Sequence, residues 1–276
     1  MELAGLQQLD HGVRDPVPQR GLRRRQRKGQ RDYTGSSGHH TRILACRKTT
    51  FWFYEPTTYT ATVMTMPNTE LTRLREHAVT ERAELDRLLD EVLLAHVGLS
   101  DDNGGVVVIP TAMARDSDSV LVHGSTGAGW MRRAATSRPA CLTVTDLTGI
   151  IVARSGFESS FRYRSAVLFG TMTRVAADDM PRALDLLTEH FLPGRTGEIR
   201  RSSPRELAAT MVLRLPIEHW SLKISDGWPE DDEDDLAGDT WAGIIPLRVT
   251  PGDPLPAPDL RPGIPIAPSV RVRSAG

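Results

Sequence analysis

Cysteine is nearly missing from this 276-residue chain: Cys46 and Cys141 are the two it has. They are too few and too far apart for a disulfide framework or a thiolate metal site. Long apolar runs are missing too. No stretch approaches the roughly 20 residues of a membrane span, and the first residues lack a signal peptide's uninterrupted apolar core. A formal net charge of −1 gives no global reason to expect a nucleic-acid or membrane partner. A cytoplasmic setting is the expectation. The chain has no GxxxxGK[ST] phosphate loop and no HExxH or EF-hand pattern. Gly127-Ala128-Gly129 has no third glycine at dinucleotide spacing. Gly124 directly precedes Ser125, which fails the GxSxG elbow of a hydrolase.

What is present divides into three parts. Residues 1–65 carry the basic run Arg23-Arg24-Arg25-Gln26-Arg27-Lys28 and no lasting period. They read as a disordered tail or a mis-assigned upstream start, with Met64 or Met66 as the true beginning. The His39-His40 pair in that tail makes a poor metal site. Residues 66–250 are patterned as a folded domain, and the prolines of 251–276 imply an extended arm that joins neither helix nor sheet.

Within the middle part, residues 80–94 read as an amphipathic helix with Thr80 as N-cap and apolar Leu85, Leu88, Leu89 and Val92. Residues 106–110 read as a buried strand and 120–123 as another. Residues 141–145 and 149–153 alternate around Asp146-Leu147-Thr148-Gly149 as a hairpin should. A long strand covers 165–175, and a helix covers 178–191 with Pro181 in its first turn. Ser203 caps a short helix, 211–224 is strand-like, and the acid run 230–235 reads as solvated surface. Short strands with inserted helices favour an α+β barrel over a doubly wound sheet.

The most informative stretch is His123-Gly124-Ser125-Thr126-Gly127-Ala128-Gly129-Trp130-Met131-Arg132-Arg133. It joins a strand end to a helix start through small residues. Backbone N–H groups, two hydroxyls and a guanidinium from Arg132 or Arg133 can converge there on a phosphate.

That stretch, residues 141–155 and residues 163–170 occur together and in order. They resemble the pyridoxamine 5′-phosphate oxidase-like flavoproteins, and more closely their nitroimidazole-resistance, flavin-nucleotide-binding branch. The likeness runs from about Arg73 to the Pro-rich tail. It implies a six-stranded split β-barrel with peripheral helices, a homodimer, and FMN in a cleft between subunits. Carried onto this chain, Thr111 and Met113 would line the isoalloxazine. His123, Gly124, Ser125, Thr126, Gly127, Arg132 and Arg133 would hold ribityl and phosphate. Tyr163, Arg164 and Ser165 would reach across from the other subunit. His123 is the candidate redox or proton-transfer residue, against a purely pocket-shaping role.

The function implied is FMN-dependent reduction of a small organic acceptor of nitroaromatic or quinone type. The alternatives are a non-catalytic flavin carrier or redox sensor, and a haem-handling split barrel with His123 as its one candidate ligand. The arginine and histidine set for pyridoxamine phosphate is not evident near the C-terminus, which argues against that oxidation. Arg162 stands where relatives often have asparagine, and Ala128-Gly129-Trp130 stands where many carry an earlier basic residue.

Overall fold

The computed structural model describes Thr69, residues 75–101, Asn103 and residues 105–274. The readings made for residues 1–65 lie outside them. A 3-10 turn over Arg75–His77 leads into β1 (Ala78–Val79), α1 (Arg82–Glu91), β2 (Leu94–Ser100), β3 (Val106–Asp116) and β4 (Ser119–Ser125). Then come α2 (Gly129–Ala134), β5 (Pro139–Val152), β6 (Ser160–Thr171), β7 (Thr173–Arg174), α3 (Met180–Phe191) and α4 (Pro204–Ala209). The remainder is β8 (Thr210–Pro216), β9 (His219–Ser225), α5 (Glu233–Leu236), β10 (Gly243–Pro246) and α6 (Pro268–Ser274).

The strands form one sheet in the order β1-β9-β6-β5-β2-β3-β4-β8-β7, with β10 added to β5. Each pairing is antiparallel. The sheet curls until a Cβ placed on Gly170 of β6 would lie 3.1 Å from Leu215 Cδ1 of β8. No ladder joins β6 to β8 among the described residues, so the sheet is not closed. The molecule is an α+β split barrel, its six expected strands supplemented by short flanking ones.

Two apolar layers hold it. Inside the curl, Leu85, Leu88 and Leu89 of α1 are fully buried against Val97, Val120, Val122, Leu142, Leu168 and Leu213. Burying each such leucine contributes about 1.5–3 kcal/mol. On the other face of β3, β4 and β8, Ala114, Leu121 and Val212 meet Met180, Ala183 and Leu187 of α3. Strand β4 is thus covered on both sides, which is why 120–122 reads as an unbroken apolar run.

Several sequence expectations need correction. Helix α1 starts at Arg82 with Glu81 as a cap residue that makes no side-chain cap bond, so Thr80 is not the N-cap; Leu94 already belongs to β2. The expected hairpin over 141–153 is one continuous strand, β5. Thr148 is an extra residue at a bulge between Leu147 and Gly149, and β6 pairs with both flanks. Gly149 lets β10 approach closely there, since a Cβ would sit 3.2 Å from Ile245 O.

Strand β3 is not buried at its start: Val106 is 78% and Val108 58% exposed. Residues 211–224 divide into β8, which pairs with β4, and β9, which pairs with β6. The acid run is mostly exposed, but the side chain of Asp231 is fully buried in an ion pair with Arg154 at 2.8 Å. The tail is irregular through residue 267 and then turns helical, with Pro268 opening α6. Ser269 donates its N–H and hydroxyl to Glu198 at 2.9 and 2.6 Å, which anchors that end.

The two proline-led helices expected after β7 are present, with α3 starting at Met180, two residues after the expected start. Pro181 lies in the first turn of α3, and Ser203 and Glu206 make a complete capping box on α4.

Candidate functional site

Strand β4 ends in His123, Gly124 and Ser125, and α2 begins four residues later at Gly129. Gly124 is small because the helix packs on the strand: a Cβ there would lie 2.9 Å from Cγ of fully buried Met131. Neither Gly124 nor Gly127 has a positive φ. Packing, rather than a left-handed backbone, explains the first of these glycines.

Part of the donor set expected to converge on an anion bonds to the protein itself. The Thr126 N–H donates to Ala209 O at 3.0 Å, Gly127 N–H to Ser125 Oγ at 3.1 Å, and Ala128 N–H to Ser125 O at 2.9 Å. The Thr126 hydroxyl also donates to Ala209 O, at 3.3 Å. Arg132 turns back and donates Nη1 to Gly127 O at 2.8 Å and to Thr126 O at 3.4 Å. A guanidinium held against two carbonyls faces its own loop. Arg133 is half-buried on the last turn of α2.

His123 is different. Its Nδ1 is buried and has no hydrogen-bond partner among the described residues. Burial pushes its pKa below the ordinary 6.5, so the ring is neutral at neutral pH. A neutral imidazole with a nitrogen lacking a protein partner is an available ligand or proton acceptor.

Of the two β3 residues, Thr111 is half-buried and its hydroxyl donates to Ala112 O at 3.4 Å. Met113 is fully buried in the main core. Its side chain is therefore part of the core, which leaves its backbone for the contact expected with the ring.

The β6 group lies apart from the loop, with β5, β2 and β3 between them in the sheet. Successive strand residues face opposite sides, so Arg164 points away from Tyr163 and Ser165. Its Nη2 donates to Asp146 of β5 and Glu91 of α1, each at 2.5 Å. Burial works against its charge, yet those carboxylates hold its pKa above the ordinary value. Arg164 is a structural tie here, not an open anion ligand.

Ser165 Oγ is 3.3 Å from Thr145 Oγ1, and Lys223 Nζ lies 6.0 Å from the Tyr163 ring. Lys223 pairs in register with Ser165. Sequence reasoning missed this lysine, because only the β6–β9 pairing brings it to Tyr163.

Among the described residues no cluster of histidine, cysteine or acidic side chains could hold a metal ion. No described helix is long and apolar enough to cross a membrane.

Comparison with known proteins gives this geometry a family. Among solved structures, the chain is similar to the FAD and haem binding protein from Mycobacterium smegmatis. Identity is 50% over 71% of this chain and 97% of that one, with a TM-score of 0.70. It is also similar to the flavocytochrome Anf3 from Azotobacter vinelandii, at 31% identity over 74% of this chain and 95% of that one, again with a TM-score of 0.70. No curated protein matches the chain. Residues 81–224 match the family described as pyridoxamine 5′-phosphate oxidase, and they contain α1 through β8 and most of β9. With more than half of its length in that match, the chain belongs to the pyridoxamine 5′-phosphate oxidase-like split-barrel family.

Proposed function

We propose that this protein binds a flavin and a haem and works in electron transfer, with His123 as a ligand to the haem iron. The observation that carries the proposal is the 50% identity to a FAD and haem binding protein across 97% of that protein. The similarity to a flavocytochrome at 31% supports it independently. In this chain the fit rests on the buried Nδ1 of His123, which has no partner among the described residues, and on a ring kept neutral by burial. A protonated imidazole could not ligate iron.

A flavin supplies hydride and single-electron chemistry, and haem iron supplies single-electron exchange. The chain's own contribution is a dry, packed support: β4 on both faces, and Met131 beneath Gly124. In the loop from Ser125 to Arg132 the Gly127 N–H and Arg132 Nη1 already bond within the loop, so no step is assigned to it.

The flavin expected from the sequence motif is FMN, whereas the 50% relative is named for FAD; FAD is the cofactor we favour. Tyr163, Ser165 and Lys223 are the accessible polar groups available to it on β6 and β9. In the same reading the protein is a cytoplasmic homodimer that reduces a small organic acceptor of nitroaromatic or quinone type. The exposed Leu94, Val106 and Val108 on neighbouring β2 and β3 support a self-associating face.

The test is spectroscopic. Protein saturated with haem and with FAD is expected to show a Soret band together with flavin absorption. His123→Ala is expected to lose or shift the Soret band while keeping the flavin spectrum. An unchanged Soret band in that variant would overturn the ligand assignment. Failure of the unaltered protein to take up either cofactor would overturn the function.

A further inference from the structure

We propose that the cleft between β1 and β9 is a binding site for a planar aromatic anion, an aromatic ring carrying a carboxylate or a phosphate. The site does not rest on flavin or haem binding, and the His123 loop does not line it.

The fold creates the cleft because β1 is so short. Its two residues pair only with Leu222 and Lys223, so the β9 edge at Trp220 and Ser221 has no strand beside it among the described residues. The open edge borders a cleft of about 390 Å³. Small-molecule sites span roughly 300–1,000 Å³. One wall is Trp220, half-buried where it packs against the main core, and Leu222 and Val79 continue the apolar surface. An indole placed in this way offers a face for stacking.

The polar lining has a single sign. Arg75 supplies a cation and Thr80 a hydroxyl, Ser221 stands on the face of β9 opposite Trp220, and no acidic side chain is among the described lining residues. The side chains of Arg75, Thr80 and Ser221 make no hydrogen bond or ion pair with another described residue. A guanidinium fork matches a carboxylate or a phosphate, and the Thr80 hydroxyl can donate to the same oxygens. A neutral ring would leave Arg75 unused, and a cation would meet it as a like charge. An aromatic anion uses both the indole face and the guanidinium.

The experiment titrates AMP, 2-naphthoate and neutral adenosine into the full-length protein saturated with flavin and haem. Calorimetry gives affinity, and the indole N–H resonances, assigned through Trp220→Phe, give location. At least one of the two anions is expected to bind and to move the Trp220 signal. Arg75→Gln is expected to weaken that binding by about 10-fold or more, the effect of losing one charge-assisted hydrogen bond. Adenosine is expected to bind more weakly than AMP by a similar factor wherever AMP binds. Binding of AMP alone assigns a phosphate ligand, and binding of 2-naphthoate alone assigns a carboxylate. The proposal is overturned if neither anion binds, if the Trp220 resonance stays still, if Arg75→Gln leaves the affinity unchanged, or if adenosine matches AMP. Saturation with flavin and haem keeps this outcome separate from that of the cofactor reading, since a probe bound in either cofactor's own place would be excluded.

Discussion

The β4–α2 loop and the β1–β9 cleft are opposites. The loop has the composition of an anion site, yet its Thr126, Gly127 and Ala128 amides, its Thr126 hydroxyl and Arg132 Nη1 bond to the protein itself. The cleft has no motif, yet its arginine and its Thr80 hydroxyl make no bond to another described residue. A small-residue loop folds back on itself easily because its hydroxyls and amides are close in sequence. Polar groups brought together by strand pairing have no such local partner, and these are the ones left for a ligand.

The largest effect that tests this contrast is on stability. Gly124→Val forces atoms into Met131, and overpacking of this kind costs about 1–3 kcal/mol. Gly129→Ala meets nothing within 4 Å and is expected to be neutral or slightly stabilising. Chemical denaturation of both variants separates a packing glycine from a ligand-contact glycine; equal losses would break the account of Gly124.

The next effect is on pH dependence. The folded-state pKa of His123 lies below 6.5, so the unfolded chain binds a proton first as the pH falls. Stability is expected to be fully present above about 6.5 and to decline as the pH drops toward the lower folded value. Melting temperatures of the cofactor-free protein from pH 7.5 to 5 should show that decline, and His123→Phe should flatten it. A parallel decline in the variant would assign the slope to other groups.

Smaller still, Ser125→Ala removes the acceptor of the Gly127 N–H and should cost about 0.5–1.5 kcal/mol, read as a shifted denaturation midpoint. Arg132→Ala should leave flavin affinity within about threefold, since its charge-assisted bonds already end on Thr126 O and Gly127 O. A tenfold loss of flavin in that variant would restore the phosphate-loop reading and reverse the comparison.

The legible parts of the fold were those set by neighbours in the chain. The Ser203–Glu206 capping box, Pro181 opening α3, and the leucine stripe of α1 follow from contacts three or four residues apart. The errors fall where a distant strand decides. Asp146-Leu147-Thr148-Gly149 has turn composition, but β6 runs along both of its sides and makes it a bulge. Asp231 belongs to an acid run, but Arg154, 77 positions away, removes its side chain from solvent.

The sequence by itself determined the family, the presence of α1, α3 and α4 and the importance of β4, because the three ordered motifs and the local helix patterns are properties of the chain. Only the tertiary structure decided which groups are free. It tied Arg164 to Asp146 and Glu91, sank Met113 into the core, turned Arg132 inward, and left His123 Nδ1 without a partner among the described residues. The physical reason is that a donor's availability depends on every acceptor within about 3 Å, and most of those acceptors come from elsewhere in the chain.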